Sequence, residues 1–245
     1  MDAELIVRVE ELTCGYGRAR VLDQVSLEIH KGEILAIIGK SGCGKTTLMK
    51  TMIGLLPYRK GSVKLMDVEI RDRAQVEKRK ILRRIGVLFQ RGALLNSMTV
   101  AENVMLPLEM HTAMKIGEMK ALAAQRLADV GLLHALDKFP TELSGGMVKR
   151  AALARALSLE PEILFCDEPS AGLDPVTARG LDELLLEEKQ RLSMTMVVVT
   201  HDVASIRRIA DRVVMLDQGR LVFDGTQEQA AAADLPALRD FFSAS

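Results

Sequence analysis

This chain of 245 residues is short of cysteine, of net charge and of long apolar runs, and each shortage excludes something. Its three cysteines, Cys14, Cys43 and Cys166, stand at no spacing that suits a metal-ligand set or a disulfide framework, which predicts a reducing compartment. Lysine plus arginine and aspartate plus glutamate number 33 each, so the formal net charge is zero and gives no electrostatic case for a polyanionic partner such as nucleic acid. No apolar run approaches the ~20 residues of a membrane span, so any work at a membrane is expected from its surface, through a partner. The first residues carry Asp2, Glu4, Arg8, Glu10 and Glu11 and do not read as a secretory signal. The length suits one large domain or two small ones with an ample core.

What is present centres on Gly39–Thr46, GKSGCGKT, which fits the phosphate-loop pattern of glycine, four residues, then Gly-Lys-Thr. The apolar run Ile34–Ile38 before it reads as a buried strand, and Thr47–Leu56 after it reads as a helix. Glycines at 39, 42 and 44 let the backbone turn its N–H groups inward, where they and the helix N-terminus hold phosphate oxygens. Lys45 is placed to reach the β- and γ-phosphates, and the Thr46 hydroxyl to ligate Mg²⁺.

Ahead of the loop, Leu5–Val9 and Val25–Ile29 alternate as strands, and Tyr16 stands between Gly15 and Gly17. Its ring suits stacking on an adenine face or capping the edge of a small sheet. Beyond the loop, Ser62–Ile70 alternates as one strand. Arg71–Arg84 holds seven basic residues against two acids, with apolar residues at helical spacing, and reads as a solvated helix face rather than a nucleic-acid patch. Gly86–Phe89 is a short apolar strand ending in Gln90, the place where open α/β sheets set ligand contacts. Helical patterns at Val100–Glu109 and Ile116–Val130 then mark an inserted helical segment between Arg91 and Pro140. It holds Met98, Met105, Met110, Met114 and Met119, which suit either core filling or a groove for another protein.

A second anion site follows. Ser144 is an N-cap candidate, and Gly145 and Gly146 leave the first-turn N–H groups of the next helix bare, although a capped start without ligand has the same pattern. The apolar strand Glu162–Cys166 ends in Asp167-Glu168-Pro169. Two acids at a strand's carboxyl end suit Mg²⁺ binding by Asp167 and polarisation of an attacking water by Glu168. Ser170–Asp174 forms a tight loop into a helix over Val176–Arg191, and the strand Met196–Thr200 delivers His201, placed to hydrogen-bond a γ-phosphate. Strands at Val213–Asp217 and Leu221–Phe223 precede a helical tail, broken at Pro236, whose Leu238, Phe241 and Phe242 need a cover on this chain or another.

Tyr16, GKSGCGKT, Gln90, LSGGM at Leu143–Met147, ILFCDEP at Ile163–Pro169, SAGLD at Ser170–Asp174 and His201 form an ordered series, with the acidic pair starting 23 residues after Ser144. From Leu5 to Asp224 the chain resembles the ATP-binding subunit of an ABC transporter. The resemblance implies an α/β fold: a P-loop NTPase core with a mostly parallel sheet, an N-terminal antiparallel β-subdomain and an inserted α-helical signature subdomain. As one ABC ATPase domain over 1–245, it would divide into a core at 1–90 and 160–225, a helical subdomain at 91–159 and a tail at 226–245. ATP and Mg²⁺ are the implied cofactors. ATP would be contacted by Tyr16, Gly39, Lys40, Ser41, Gly42, Cys43, Gly44, Lys45, Thr46, Thr47, Gln90, Asp167 and His201, with Thr46, Gln90 and Asp167 around the metal. Glu168, His201 and Gln90 would serve hydrolysis. In this family two domains dimerise head to tail, so Leu143, Ser144, Gly145, Gly146 and Met147 of one subunit would face the phosphate loop of the other, with Asp174 across the interface.

Two departures stand out. Met147 replaces the glutamine of most relatives, and the Ser170–Asp174 loop has an extra glycine. LSGGM, with Leu88–Leu95 and Pro107–Thr112, resembles the ATPases of Mla/Mce-type lipid transporters. That implies a homodimer in the ATP-bound state, an integral-membrane permease, an MCE-domain lipid-binding protein, often with a STAS-domain subunit, and a peripheral place on the cytoplasmic face of the inner membrane. ABC ATPases for other cargo, such as lipoprotein release or amino-acid uptake, remain the alternative. A nucleic-acid ABC ATPase would need a long coiled-coil insertion between Lys45 and Ser144, where no sustained heptads appear.

Overall fold

The computed structural model describes residues 4–71, 80–81 and 83–243. In chain order the strands are β1 (Leu5–Cys14), β2 (Leu22–His30), β3 (Ile34–Ile38), β4 (Tyr58–Leu65), β5 (Val68–Glu69), β6 (Ile85–Leu88), β7 (Ile163–Asp167), β8 (Thr195–Val199), β9 (Arg212–Asp217) and β10 (Arg220–Thr226). The helices are α1 (Lys45–Met52), α2 (Val100–His111), α3 (Ile116–Asp129), α4 (Gly145–Ala156), α5 (Pro175–Leu192), α6 (Val203–Ile209), α7 (Gln227–Ala232) and α8 (Pro236–Ser243). The chain divides into two compact units, Met1–Ile81 with Thr195–Ser245, and Leu82–Met194.

In the first unit, β2, β1, β4 and β5 form an antiparallel sheet in that order. β1 runs to Cys14, beyond the expected Val9, because a bulge around Glu11 (φ 46°) shifts its register and lets Leu12 and Cys14 return to the buried face. The single strand expected over Ser62–Ile70 is two: Met66 and Asp67, both at positive φ, make a two-residue hairpin between β4 and β5. The remaining strands run β10-β9-β3-β8, with β3 parallel to both β8 and β9. Every residue of β3 and β8 is buried, as parallel strands covered on both faces require. Helix α1 stops at Met52, short of the expected Leu56, where the chain turns so that Leu55 and Leu56 both donate to the Lys50 carbonyl. The C-terminal tail finds its cover within this unit: Leu238 and Phe241 are buried with Ala36, Ile38, Val203, Ile206 and Met215.

The second unit pairs β6 with β7 in parallel, Leu88 opposite Cys166. Helices α2, α3 and α4 pack on one another, and α4 lies against β6 and α5. A capping box starts α2, with the Glu102 amide donating to the Thr99 hydroxyl at 3.2 Å and the Thr99 amide donating to the Glu102 carboxylate at 2.7 Å. Met105 and Met119 fill this core while Met110 is 68% exposed, so the methionines of the helical segment do not share one role. Most of the basic stretch expected as a helix over Arg71–Arg84 lies outside the described residues.

Candidate active site

In the first unit, β3 ends at Ile38 and delivers the phosphate loop directly onto α1. Gly39 is buried against β9: a Cβ there would lie 2.2 Å from the Leu216 carbonyl oxygen and 2.7 Å from Cys43 Sγ. Helix α1 has no side-chain cap and no acid in its first turn, which suits an anion at its N-terminus. Lys45 is nearly buried, and its ammonium donates to the carbonyls of Gly39 at 2.7 Å and Lys40 at 3.1 Å, lying back over the loop. Lys40, Ser41 and Gly42 are exposed, Cys43, Gly44 and Thr47 buried, and Thr46 half-buried. Gly44 abuts the side chains of Val21 and Leu22, at the end of the loop that carries Tyr16. Tyr16 is itself 50% exposed. Arg59 of β4, which the sequence does not single out, holds that loop by donating to the carbonyls of Gly17, Arg18 and Ala19.

His201 follows β8, the strand beside β3, so Gly39 and His201 leave the carboxyl ends of neighbouring parallel strands. The Thr200 amide donates to Ile37 at 3.3 Å. Asp202 then caps α6 through the amides of Ala204 and Ser205, which fixes the turn that presents the exposed His201. Burial pushes the thiols of Cys14, Cys43 and Cys166 up from the ordinary cysteine value, which favours the neutral thiol in all three, Cys43 of the loop included.

In the second unit, Gln90 follows β6, Asp167 ends β7 and Glu168 stands just beyond it, again at the carboxyl ends of adjacent parallel strands. Asp167 is 6% exposed, and Glu168 is half-buried with a left-handed φ of 49°. Ser144 caps α4, its hydroxyl accepting from the Met147 amide at 3.3 Å. Ser144 and Gly145 are exposed, while Leu143, Gly146 and Met147 are half-buried. A Cβ on Gly146 would lie 2.7 Å from Thr177 Cγ2, so this glycine permits the close approach of α4 to α5. Ser144, Gly146, Met147 and Arg150 share an open hollow of about 680 Å³ with Val176 and Thr177. Asp174 caps α5, accepting from the amides of Val176 and Thr177 at 3.1 Å and from the Thr177 hydroxyl at 2.5 Å. The Thr177 hydroxyl and amide hold the Asp174 carboxyl below its ordinary range.

Sequence reasoning passed over Lys149 and Arg155 of α4. The Lys149 ammonium donates to the main-chain carbonyls of Gln90 and Glu168, and Arg155 donates to those of Gly92 and Ala93 at 2.8 and 2.7 Å. The local signal is three cations, Lys149, Arg150 and Arg155, in an alanine-rich helix.

Among the described residues, no group of three or more His, Cys, Asp and Glu is placed to hold a metal by itself. The Thr46 hydroxyl and the Asp167 carboxylate are each oxygen donors of the kind Mg²⁺ takes, one or two from protein, with its shell completed by phosphates and water.

A buried parallel strand feeding a phosphate loop, and an acidic pair ending another strand, define a phosphate-loop nucleoside triphosphatase. Residues 22–171 match the ABC transporter family model, and the chain belongs to that family as an ATP-binding, ATP-hydrolysing cassette. It is 39% identical over 243 residues to the "Probable ribonucleotide transport ATP-binding protein mkl" of Mycobacterium leprae, covering 99% of this chain and 70% of that one. It is 38% identical over 217 residues to the methionine import ATP-binding protein MetN of Clostridium tetani, covering 89% and 68%. The chain thus spans about two thirds of the length of the curated relatives it matches. Among solved structures it resembles the dimeric ATP-binding cassette MJ0796 in a post-hydrolysis state bound to ADP and Pi, with TM-score 0.83 and 32% identity over 90% of this chain and 98% of that one. It also resembles cbiO1 of Clostridium perfringens, part of the cbiONQ ABC transporter complex, with TM-score 0.82 and 29% identity over 98% and 99%.

Proposed function

We propose that this cassette is the motor subunit of a membrane transporter and that its cargo is lipid, in the manner of the Mla/Mce systems. Two head-to-tail copies would enclose ATP, with Tyr16 on the adenine and Gly39–Thr47 on the phosphates of one subunit. Leu143–Met147 of the other would close over the γ-phosphate, and Asp174 would link the paired sites. Thr46, Asp167 and Gln90 would hold Mg²⁺, Glu168 would polarise the attacking water, and His201 would sense the γ-phosphate. Closure on ATP and opening after hydrolysis would move an integral-membrane permease bound at the cytoplasmic face of the inner membrane. The lipid reading adds an MCE-domain protein and a STAS-domain subunit. No helix among the described residues is long and apolar enough to cross a membrane.

The observation that carries the motor reading is the presence in one chain of two helix starts with no acid in their first turn, α1 behind the phosphate loop and α4 behind its Ser144 cap, each of which suits an anion. One nucleotide needs only one of them, so the second has its natural use in a partner's nucleotide. Glu168→Gln tests this: the variant should bind ATP, stop turning it over and accumulate as an ATP-dependent dimer in size-exclusion chromatography. Turnover at the parent rate would refute the role of Glu168.

The lipid cargo rests on Met147 and on the stretches Leu88–Leu95 and Pro107–Thr112. Relatives named for methionine import and ribonucleotide transport favour a second reading, a small-solute importer. A mild-detergent pull-down from native membranes, with mass spectrometry of proteins and lipids, separates them. Recovery of an MCE-domain protein with phospholipid supports lipid transport, and a different permease without MCE partners reassigns the cargo.

A further inference from the structure

Lys149 stands on the first turns of α4, five residues after Ser144, and only 5% of it is exposed. An ammonium so far from water is costly unless its surroundings hold it, and an apolar side chain of similar length would fill the same space without that cost. Its hydrogen bonds go to two main-chain oxygens, those of Gln90 and of Glu168, the latter at 3.1 Å. These two residues leave the ends of β6 and β7, and neither lies in regular structure there. The Glu168 backbone adopts a left-handed φ of 49°, which a glutamate holds only when its surroundings over-determine it, and its carbonyl also accepts the Ala171 amide at 3.2 Å. Arg155, further along α4, takes the carbonyls of Gly92 and Ala93 in the turn that follows Gln90. Helix α4 therefore grips the Gln90 turn with two cations and the Glu168 turn with one of them.

We propose that Lys149 is a positioning residue for ATP hydrolysis: its ammonium clamps the main chain of Gln90 to that of Glu168 and so sets both side chains from the signature helix. It touches neither nucleotide nor water in this role. Burial pulls its pKa down from the ordinary lysine value, while the carboxylates of Glu168 and Asp167 nearby act to restore it. The clamp also gives Ser144 a rigid connection to the hydrolytic residues of its own subunit, since the same helix begins at one and grips the others.

The inference rests on the hydrolytic roles proposed above for Gln90 and Glu168, so Glu168→Gln is measured beside it. Lys149→Met fills the space without donors, Lys149→Gln keeps a neutral, shorter donor, and Lys149→Arg keeps the charge. Steady-state hydrolysis, binding of a fluorescent ATP analogue and thermal unfolding are followed on the full chain. Because misplacing a reacting group by 1 Å costs up to about a hundredfold in rate, the neutral variants should lose about tenfold or more in kcat. Analogue affinity should stay within about twofold, since the phosphate loop does not involve Lys149, and Lys149→Arg should recover kcat to within about threefold of the parent. A folded neutral variant with parental kcat overturns the inference, and so does Lys149→Arg failing as badly as Lys149→Met. Affinity falling in step with kcat overturns it as well. Should Lys149→Met not fold, Lys149→Gln decides by the same criteria. If Glu168→Gln keeps the parent rate, both this inference and the proposed hydrolytic roles fail; if it is inactive beside a parental Lys149→Met, only the clamp fails.

Discussion

Gly39→Ala tests how tightly the phosphate loop is built into the sheet. The new Cβ would stand 2.2 Å from the Leu216 carbonyl oxygen and 2.7 Å from Cys43 Sγ, at a φ of 142° that alanine rarely adopts. Because the first obstacle is main chain in β9, relief requires moving the loop from the strand by about 1 Å rather than turning a side chain. The backbone conformation costs about 1–3 kcal/mol and the overpacking a further 1–3, a large share of the roughly 5–15 kcal/mol that holds a domain folded. Gly42→Ala is the control: its φ is 80° but nothing lies within 4 Å of the added carbon, so only a backbone cost of about 1–2 kcal/mol applies. Urea unfolding should therefore rank the parent above Gly42→Ala and Gly42→Ala above Gly39→Ala. ATP titration should show Gly39→Ala weaker by about tenfold or more, since each displaced hydrogen bond to a charged phosphate is worth about 1.5–3 kcal/mol. Equal stability and affinity in the two variants would refute the close contact with Leu216 as the feature that sets the loop.

Three other changes probe separate parts of the molecule. Lys45→Ala removes the cation that lies on the Gly39 and Lys40 carbonyls, and equilibrium dialysis should find nucleotide affinity lost; unchanged binding would discredit the phosphate-loop assignment. Asn103 is fully buried, accepts from the Leu95 amide at 2.7 Å and donates to the carbonyls of Leu95, Met98 and Thr99. Asn103→Ala should therefore cost about 3 kcal/mol in chemical denaturation, with a loss below about 1 kcal/mol counting against this bonding pattern. The Asp174 carboxyl is held low by its bonds to Thr177 and Val176. Its folded pKa is below the unfolded value, so its contribution is present above the unfolded pKa and is lost as pH falls through the folded one. Asp174→Asn should flatten that acidic part of a stability-against-pH curve, and a curve parallel to the parent's would remove Asp174 from the account.

The parts of the fold readable in sequence are those whose cause is local. Ile34–Ile38 and the phosphate loop are contiguous, so strand, turn and helix announce one another. Ser144, read as a capping residue, stands immediately before the helix it starts. The hairpin between β4 and β5 was missed because its turn uses Met66-Asp67, without the glycine or asparagine that usually marks two positive φ values. The tail showed an apolar face but not its destination; that face lies on Ala36 and Ile38, some two hundred residues earlier in the chain.

The largest illegible feature has a single physical form. The loops that carry the candidate site residues cannot join a helix or strand ladder, so their carbonyls need other donors. Cations supply them: Arg59 for the Tyr16 loop, Lys45 for the phosphate loop, Lys149 and Arg155 for the Gln90 and Glu168 turns. A cation that pairs with a carboxylate leaves an opposite charge somewhere in the sequence to be matched with it. One that pairs with a main-chain oxygen leaves no partner residue type at all, because every residue has a carbonyl. Charge patterning read along the chain therefore gives Lys149 and Arg155 to solvent, and only the fold reveals that they hold the turns on which hydrolysis is proposed to depend.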